Sequence, residues 1–195
     1  MSSCFSFSSG VFPAVEPISP FREGYRKCLY TDLGTGQEIP MLAVAVSQEK
    51  VFDLFLDLTS LLGSLVDIIL ETSHQKIASQ HIDLHREDVD LPVAQSYLRQ
   101  FENTLTNDGC SGVAVMARNR PMEVQFDEHK IIVVYAQKIG RFEKVLKAHG
   151  IRQDDALPLV TDFEHCHATT IEFEEEFQQL TNLLGAVEAG EIANW

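Results

Sequence analysis

PMEVQFDEHKIIVVYA, residues 121–136, holds two strands and the turn that joins them. Residues 121–127 alternate apolar and polar side chains with the period of a half-buried strand, and KIIVVYA (130–136) is strongly apolar, as in a buried one. Between them stands Asp127-Glu128-His129-Lys130. An acid, a histidine and a lysine side by side are the ingredients of a proton-transfer group. A hairpin tip is polar simply because it is solvated, however, and the segment reads as a solvated turn.

Outward from this hairpin the chain keeps switching between period 2 and the helical period. A strand at about 111–118 precedes it. Residues 25–32 and 40–47 read as a second hairpin around Gly34-Thr35-Gly36. In EKVFDLFLDLTSLL (49–62) Phe52, Phe55, Leu56, Leu58 and Leu62 form one helical stripe, and Gly63 follows. LVDIILET (65–72) reads as a buried strand, and a polar stretch leads to a helix over 92–107, with Pro92 near its first turn. A third helix spans 138–149, a short strand lies near 157–163, and a fourth helix covers about 168–184. Each helix carries a Phe eight residues before a terminal Gly: Phe55/Gly63, Phe101/Gly109, Phe142/Gly150 and Phe177/Gly185. Phe packs the buried face, and Gly supplies the backbone freedom that ends a helix.

These elements predict an α+β fold, a largely antiparallel or mixed sheet covered by about four amphipathic helices. Hairpin, helix, strand, helix recurs over 25–107 and 121–184, which suggests duplication of a ββαβα unit within one domain over 25–195, with halves 25–107 and 110–195. The best-matched helices, the first and the fourth, are not equivalent in that alignment. Residues 1–24 read as a flexible arm able to lay Phe5, Phe7 or Phe12 on a neighbouring surface.

Composition excludes several functions. In 195 residues, 15 Lys and Arg face 29 Asp and Glu, for a net charge of −14. Such a chain repels nucleic acid, and its apolar runs are too short for the ~20 residues of a membrane helix. The start lacks the basic and unbroken apolar segments of an export signal, and Cys4, Cys28, Cys110 and Cys166 are too sparse for a disulfide framework. A cytoplasmic location follows. No dinucleotide loop, phosphate loop or serine elbow is present. After Arg152 the chain carries acids and no Lys or Arg, a solvated face or a docking surface for a partner with a basic surface. Trp195, the only Trp, could anchor the tail on this chain or on a second copy in a homodimer.

Chemistry points to the histidines. His74, His81 and His85 lie close together, as do His165 and His167, and each group opens on an acid-x-x-His step, Glu71 to His74 and Asp162 to His165. On an extended chain His81, Asp83 and His85 share a face, as do His165 and His167. If the segments meet, His74, His81, Asp83, His85, His165 and His167 are candidate ligands for a divalent transition metal, with Glu164 as general base beside a metal-bound water. Alternation is also what any half-buried strand shows, and no recognised ligand spacing is present. Cys110 follows a helix C-terminus, where the dipole opposes a thiolate, and reads as a small buried thiol. Cys166 alternates away from its two histidines and reads as a core residue. Two functions follow. The leading one is a non-catalytic binding or protein-interaction module; the other is a small metal-dependent enzyme, hydrolytic in type.

Overall fold

The computed structural model describes residues 5–15, 20–31, 34, 36–74 and 81–188. The elements run β1 (Val11–Pro13), β2 (Gly24–Thr31), β3 (Glu38–Ala45), α1 (Gln48–Thr59), β4 (Leu65–Thr72), β5 (Ile82–Asp90), α2 (Leu91–Gln100), α3 (Glu102–Asn107) and β6 (Ser111–Ala117). They continue with β7 (Met122–Phe126), β8 (Ile132–Ala136), α4 (Gly140–Ala148), β9 (His165–His167), α5 (Ile171–Leu184) and β10 (Val187–Glu188). Eight strands form one antiparallel sheet in the order β10-β5-β4-β6-β7-β8-β3-β2, and β1 pairs with β9 in a separate ribbon. The fold is α+β, as the periodicities predict. Cys4, Thr35 and the Trp195 tail lie outside the described residues.

The alternation in the strands decides which face is covered. Val66, Ile68 and Leu70 of β4, Val113 and Val115 of β6, and Val124 and Phe126 of β7 point one way, onto Phe52 and Phe55 of α1, Leu98 of α2, Phe142 of α4 and Phe177 of α5. All four Phe residues placed ahead of a Gly thus lie in the main core, three of them as helix anchors and Phe101 where α2 gives way to α3. Gly185 ends α5 in the left-handed region at φ 63°, where a side chain would be strained. At the other end of α5, Thr170 Oγ1 accepts a hydrogen bond from the Phe173 amide, and Glu172 and Glu174 occupy the first turn.

On the opposite face, Ala43, Ala45, Ile131 and Val133 are covered by Val11, Leu157, Leu159 and Val160. The segment expected to be a strand at 157–163 is instead this cover, with a 3-10 turn over Val160–Asp162. Leu157 and Leu159 alternate as in a strand because both are pressed onto the sheet. The halves of the chain therefore differ here: no strand of the large sheet lies between α4 and α5. The described part of the N-terminal arm shares the cover. Phe7 packs edge-on against Phe21 at 4.7 Å, and Phe21 against Phe163 at 5.6 Å, while Phe12 is exposed.

Two further elements depart from the sequence reading. The helix expected over 92–107 breaks at Phe101, whose φ of −108° leaves the helical region. β5, IDLHREDVD, falls in the polar stretch ahead of the second helix, where only 81–85 alternate as a half-buried strand would. Val89 alone is buried in it, because its one long partner is β4 and its outer edge meets only the two residues of β10.

Candidate metal centre

The β7–β8 turn is built by hydrogen bonds from one residue. The Asp127 carbonyl accepts from the Lys130 amide at 3.0 Å, and its Oδ1 accepts from the Ile131 amide at 3.1 Å. Lys130 takes the left-handed conformation, φ 61°, which costs a non-glycine residue about 1 kcal/mol or more. Its burial holds it there: the side chain runs inward, Nζ donating to the Ser111 carbonyl at 2.6 Å and lying 5.5 Å from the centre of the Phe126 ring. Burial also pushes this ammonium down to about 8, with Asp108, Asp127 and Glu128 opposing the shift. The turn is thus anchored rather than solvated throughout, and it presents His129 in a fixed place.

The β1–β9 ribbon brings two more imidazoles to that place. His165 and His167 lie on one side of β9, and its register with β1 pairs Val11 with His167 and Pro13 with His165. The ring centres of His129, His165 and His167 form a near-equilateral triangle with sides of 5.0, 5.1 and 5.1 Å. One ligand atom from each lies within 4.8 Å of the other two.

Ring packing alone could give such spacings, so the nitrogens decide. His165 Nδ1 lies 2.8 Å from the Phe163 carbonyl oxygen and His167 Nδ1 2.5 Å from the Gly109 carbonyl oxygen. A carbonyl only accepts, so both Nδ1 atoms carry the proton and both Nε2 atoms keep a lone pair. His129 Nδ1 lies 3.0 Å from Asp127 Oδ2, which orients it in the same way. This hydrogen bond raises the His129 pKa, against the effect of burial. Each ring therefore has the outer-shell partner that a metal-bound imidazole requires. Three Nε2-bound imidazoles on one tetrahedral ion, with bonds of about 2.0–2.1 Å, have ring centres about 5.2 Å apart. The observed triangle matches that figure. His167 is exposed, so the cluster reaches the surface.

The other residues singled out in the sequence stand elsewhere. The His74 side chain is buried beside Asp108, its Nε2 2.9 Å from Asp108 Oδ2 without hydrogen-bond geometry and its Nδ1 2.7 Å from Thr72 Oγ1. The half-exposed His81 has Nε2 3.4 Å from Glu128 Oε1. Asp83 and His85 lie on β5, opposite Glu71 and Ile69 of β4. Glu164 is exposed and alternates to the other side of the chain from His165. Cys110 is buried just ahead of β6, as expected, whereas Cys166 is exposed because a two-stranded ribbon has nothing on its outer side. His129 was not among the candidate ligands read from the sequence. The available signal was Asp127 two residues before it, the same offset by which the Phe163 carbonyl holds His165.

Gly109 carries the third support. A Cβ there would collide with the Gly10 carbonyl oxygen and would lie 2.9 Å from the Ala168 nitrogen. Gly10 and Ala168, which close one end of the β1–β9 ribbon, both pack against Gly109 here, with Gly109 N donating to Ala168 O at 2.8 Å. Gly109→Ala is expected to push the ribbon away, lower the melting temperature and weaken zinc binding by about 10–100-fold, the usual effect of losing an outer partner. Differential scanning fluorimetry with and without zinc measures both.

Comparisons with protein-family models, with characterised proteins and with solved structures find nothing that matches this chain.

Proposed function

We propose that this protein is a metal-dependent enzyme whose His129, His165 and His167 hold one divalent transition ion and leave a position at which water is activated. The observation that carries this reading is that all three Nδ1 atoms are tied to oxygen, which leaves each Nε2 available, while one ligand atom of each ring lies within 4.8 Å of the other two. Three neutral imidazoles with an open fourth position are the ligand set of hydrolytic and hydrating zinc centres. Imidazole also suits nickel, copper and ferrous iron. Of the two functions drawn from the sequence, this arrangement supports the metal-dependent enzyme.

The test is elemental analysis of the chain purified without an affinity tag, followed by zinc titration of chelator-treated protein. One ion per chain is expected, with a melting temperature that rises on adding zinc; binding at 100 times Kd adds about 2.7 kcal/mol of stability. Hydrolysis of 4-nitrophenyl acetate is expected to return with the ion. A chain that carries no metal and shows no thermal shift overturns the metal centre; one that binds zinc without zinc-dependent ester hydrolysis overturns the hydrolytic assignment.

A further inference from the structure

The cover over the second face of the sheet stops short of its far half. There the register sets Glu123 of β7 between Met116 of β6 and Tyr135 of β8, with Tyr30 further out on the edge strand β2. These residues, with Gln125 and Arg120, line an open cavity of about 400 Å³. That lies within the roughly 300–1,000 Å³ of small-molecule sites. The rings of Tyr30 and Tyr135 meet edge to face, with centres 5.4 Å apart and planes at 76°.

The carboxylates decide what the cavity takes. Glu123 is half-buried, and burial alone raises its pKa; no hydrogen bond or ion pair joins it to any described residue. Gln125 turns its amide away to Glu71, Nε2 to Oε1 2.7 Å. Glu71 is itself pushed up to about 7, by burial first and then by Asp83, Asp127 and Glu123. Two half-buried carboxyls thus lie at or behind the cavity without a counter-ion. Arg120 is exposed at the rim and pairs with no described carboxylate. An anion would meet this acidic wall, whereas an ammonium group would supply the missing charge to Glu123 and lie against the tyrosine faces.

We infer that the cavity is a binding site for a small organic ammonium compound, with Glu123 as its anion and Tyr30 and Tyr135 as its aromatic walls. The site is independent of the histidine centre, and it is tested with a chelator present so that the two readings fail separately. Isothermal titration of the full chain with benzylammonium is expected to show saturable one-to-one binding, at least tenfold tighter than benzyl alcohol and with no binding of benzoate. Glu123→Gln keeps the shape and removes the charge, and is expected to weaken benzylammonium at least tenfold. Tyr30→Leu, at an exposed edge position that the fold does not need, is expected to weaken it severalfold. Equal affinity for the alcohol, undiminished binding by Glu123→Gln, or no binding of benzylammonium at all would overturn the inference.

Discussion

Alanine in place of His129 is expected to weaken zinc binding by more than about 100-fold, with His165→Ala and His167→Ala behaving alike. Loss of an outer partner costs about 10–100-fold, and loss of a ligand must exceed it. Asp127→Asn, which leaves His129 in place and removes the charge that holds its Nδ1, belongs in that milder range. His74→Ala separates a ligand from a structural histidine: its side chain is buried against Asp108 and Thr72, away from the other three rings, so its loss lowers stability and leaves the zinc stoichiometry at one. Competition titration with a chromophoric chelator reads all five variants. Equal affinities for wild type and His129→Ala would remove the turn from the centre.

The second large effect belongs to Asp108. It is fully buried; its Oδ1 accepts from the Cys110 amide at 3.2 Å, its Oδ2 faces His74 Nε2, and its charge bears on Lys130. Alanine there strands a buried ammonium, an imidazole and an amide together. Breaking one side of a buried charged network costs about 3–5 kcal/mol. For a chain of this size that is on the order of 10 °C in melting temperature. The pH dependence has a definite sign. Burial pushes the Asp108 carboxyl up, but the neighbouring His74, Thr169 and Ser111 outweigh it and hold the group below its ordinary 3.8. The folded chain therefore binds this proton less readily than the unfolded one. The stabilisation is complete above 3.8 and fades as pH falls through the lower folded value. Urea melts of wild type and Asp108→Ala should lie far apart at pH 7 and draw together in acid. A constant gap would show that packing, rather than charge, is what the substitution removes.

The contrast between β4 and β5 shows what could be read from the sequence. Val66, Ile68 and Leu70 alternate cleanly because helices cover one side of a central strand, and the same local cause made the hairpins and helix stripes legible. β5 sits next to the sheet edge, so its pattern carries almost no burial signal. Leu157 and Leu159 imitate a strand for the opposite reason: they are buried without being paired in the large sheet. Two members of the histidine cluster could be picked out in the sequence, and the third could not. His165 and His167 are set on one side by the strand alternation of two positions separated by one residue. That they meet His129 depends on the β1–β9 register, on the Gly10–Gly109 contact and on Lys130 being drawn inward. None of these long-range contacts leaves a trace in local periodicity, and a polar hairpin tip looks the same whether solvated or anchored.

The central claim is tested most directly by X-ray absorption at the zinc edge on the full chain loaded with one equivalent. The account predicts three imidazole nitrogens and one water oxygen at about 2.0–2.1 Å. The imidazole scattering should fall to two rings in His129→Ala. A spectrum of zinc bound only by water and carboxylates, or one unchanged by that substitution, would contradict it.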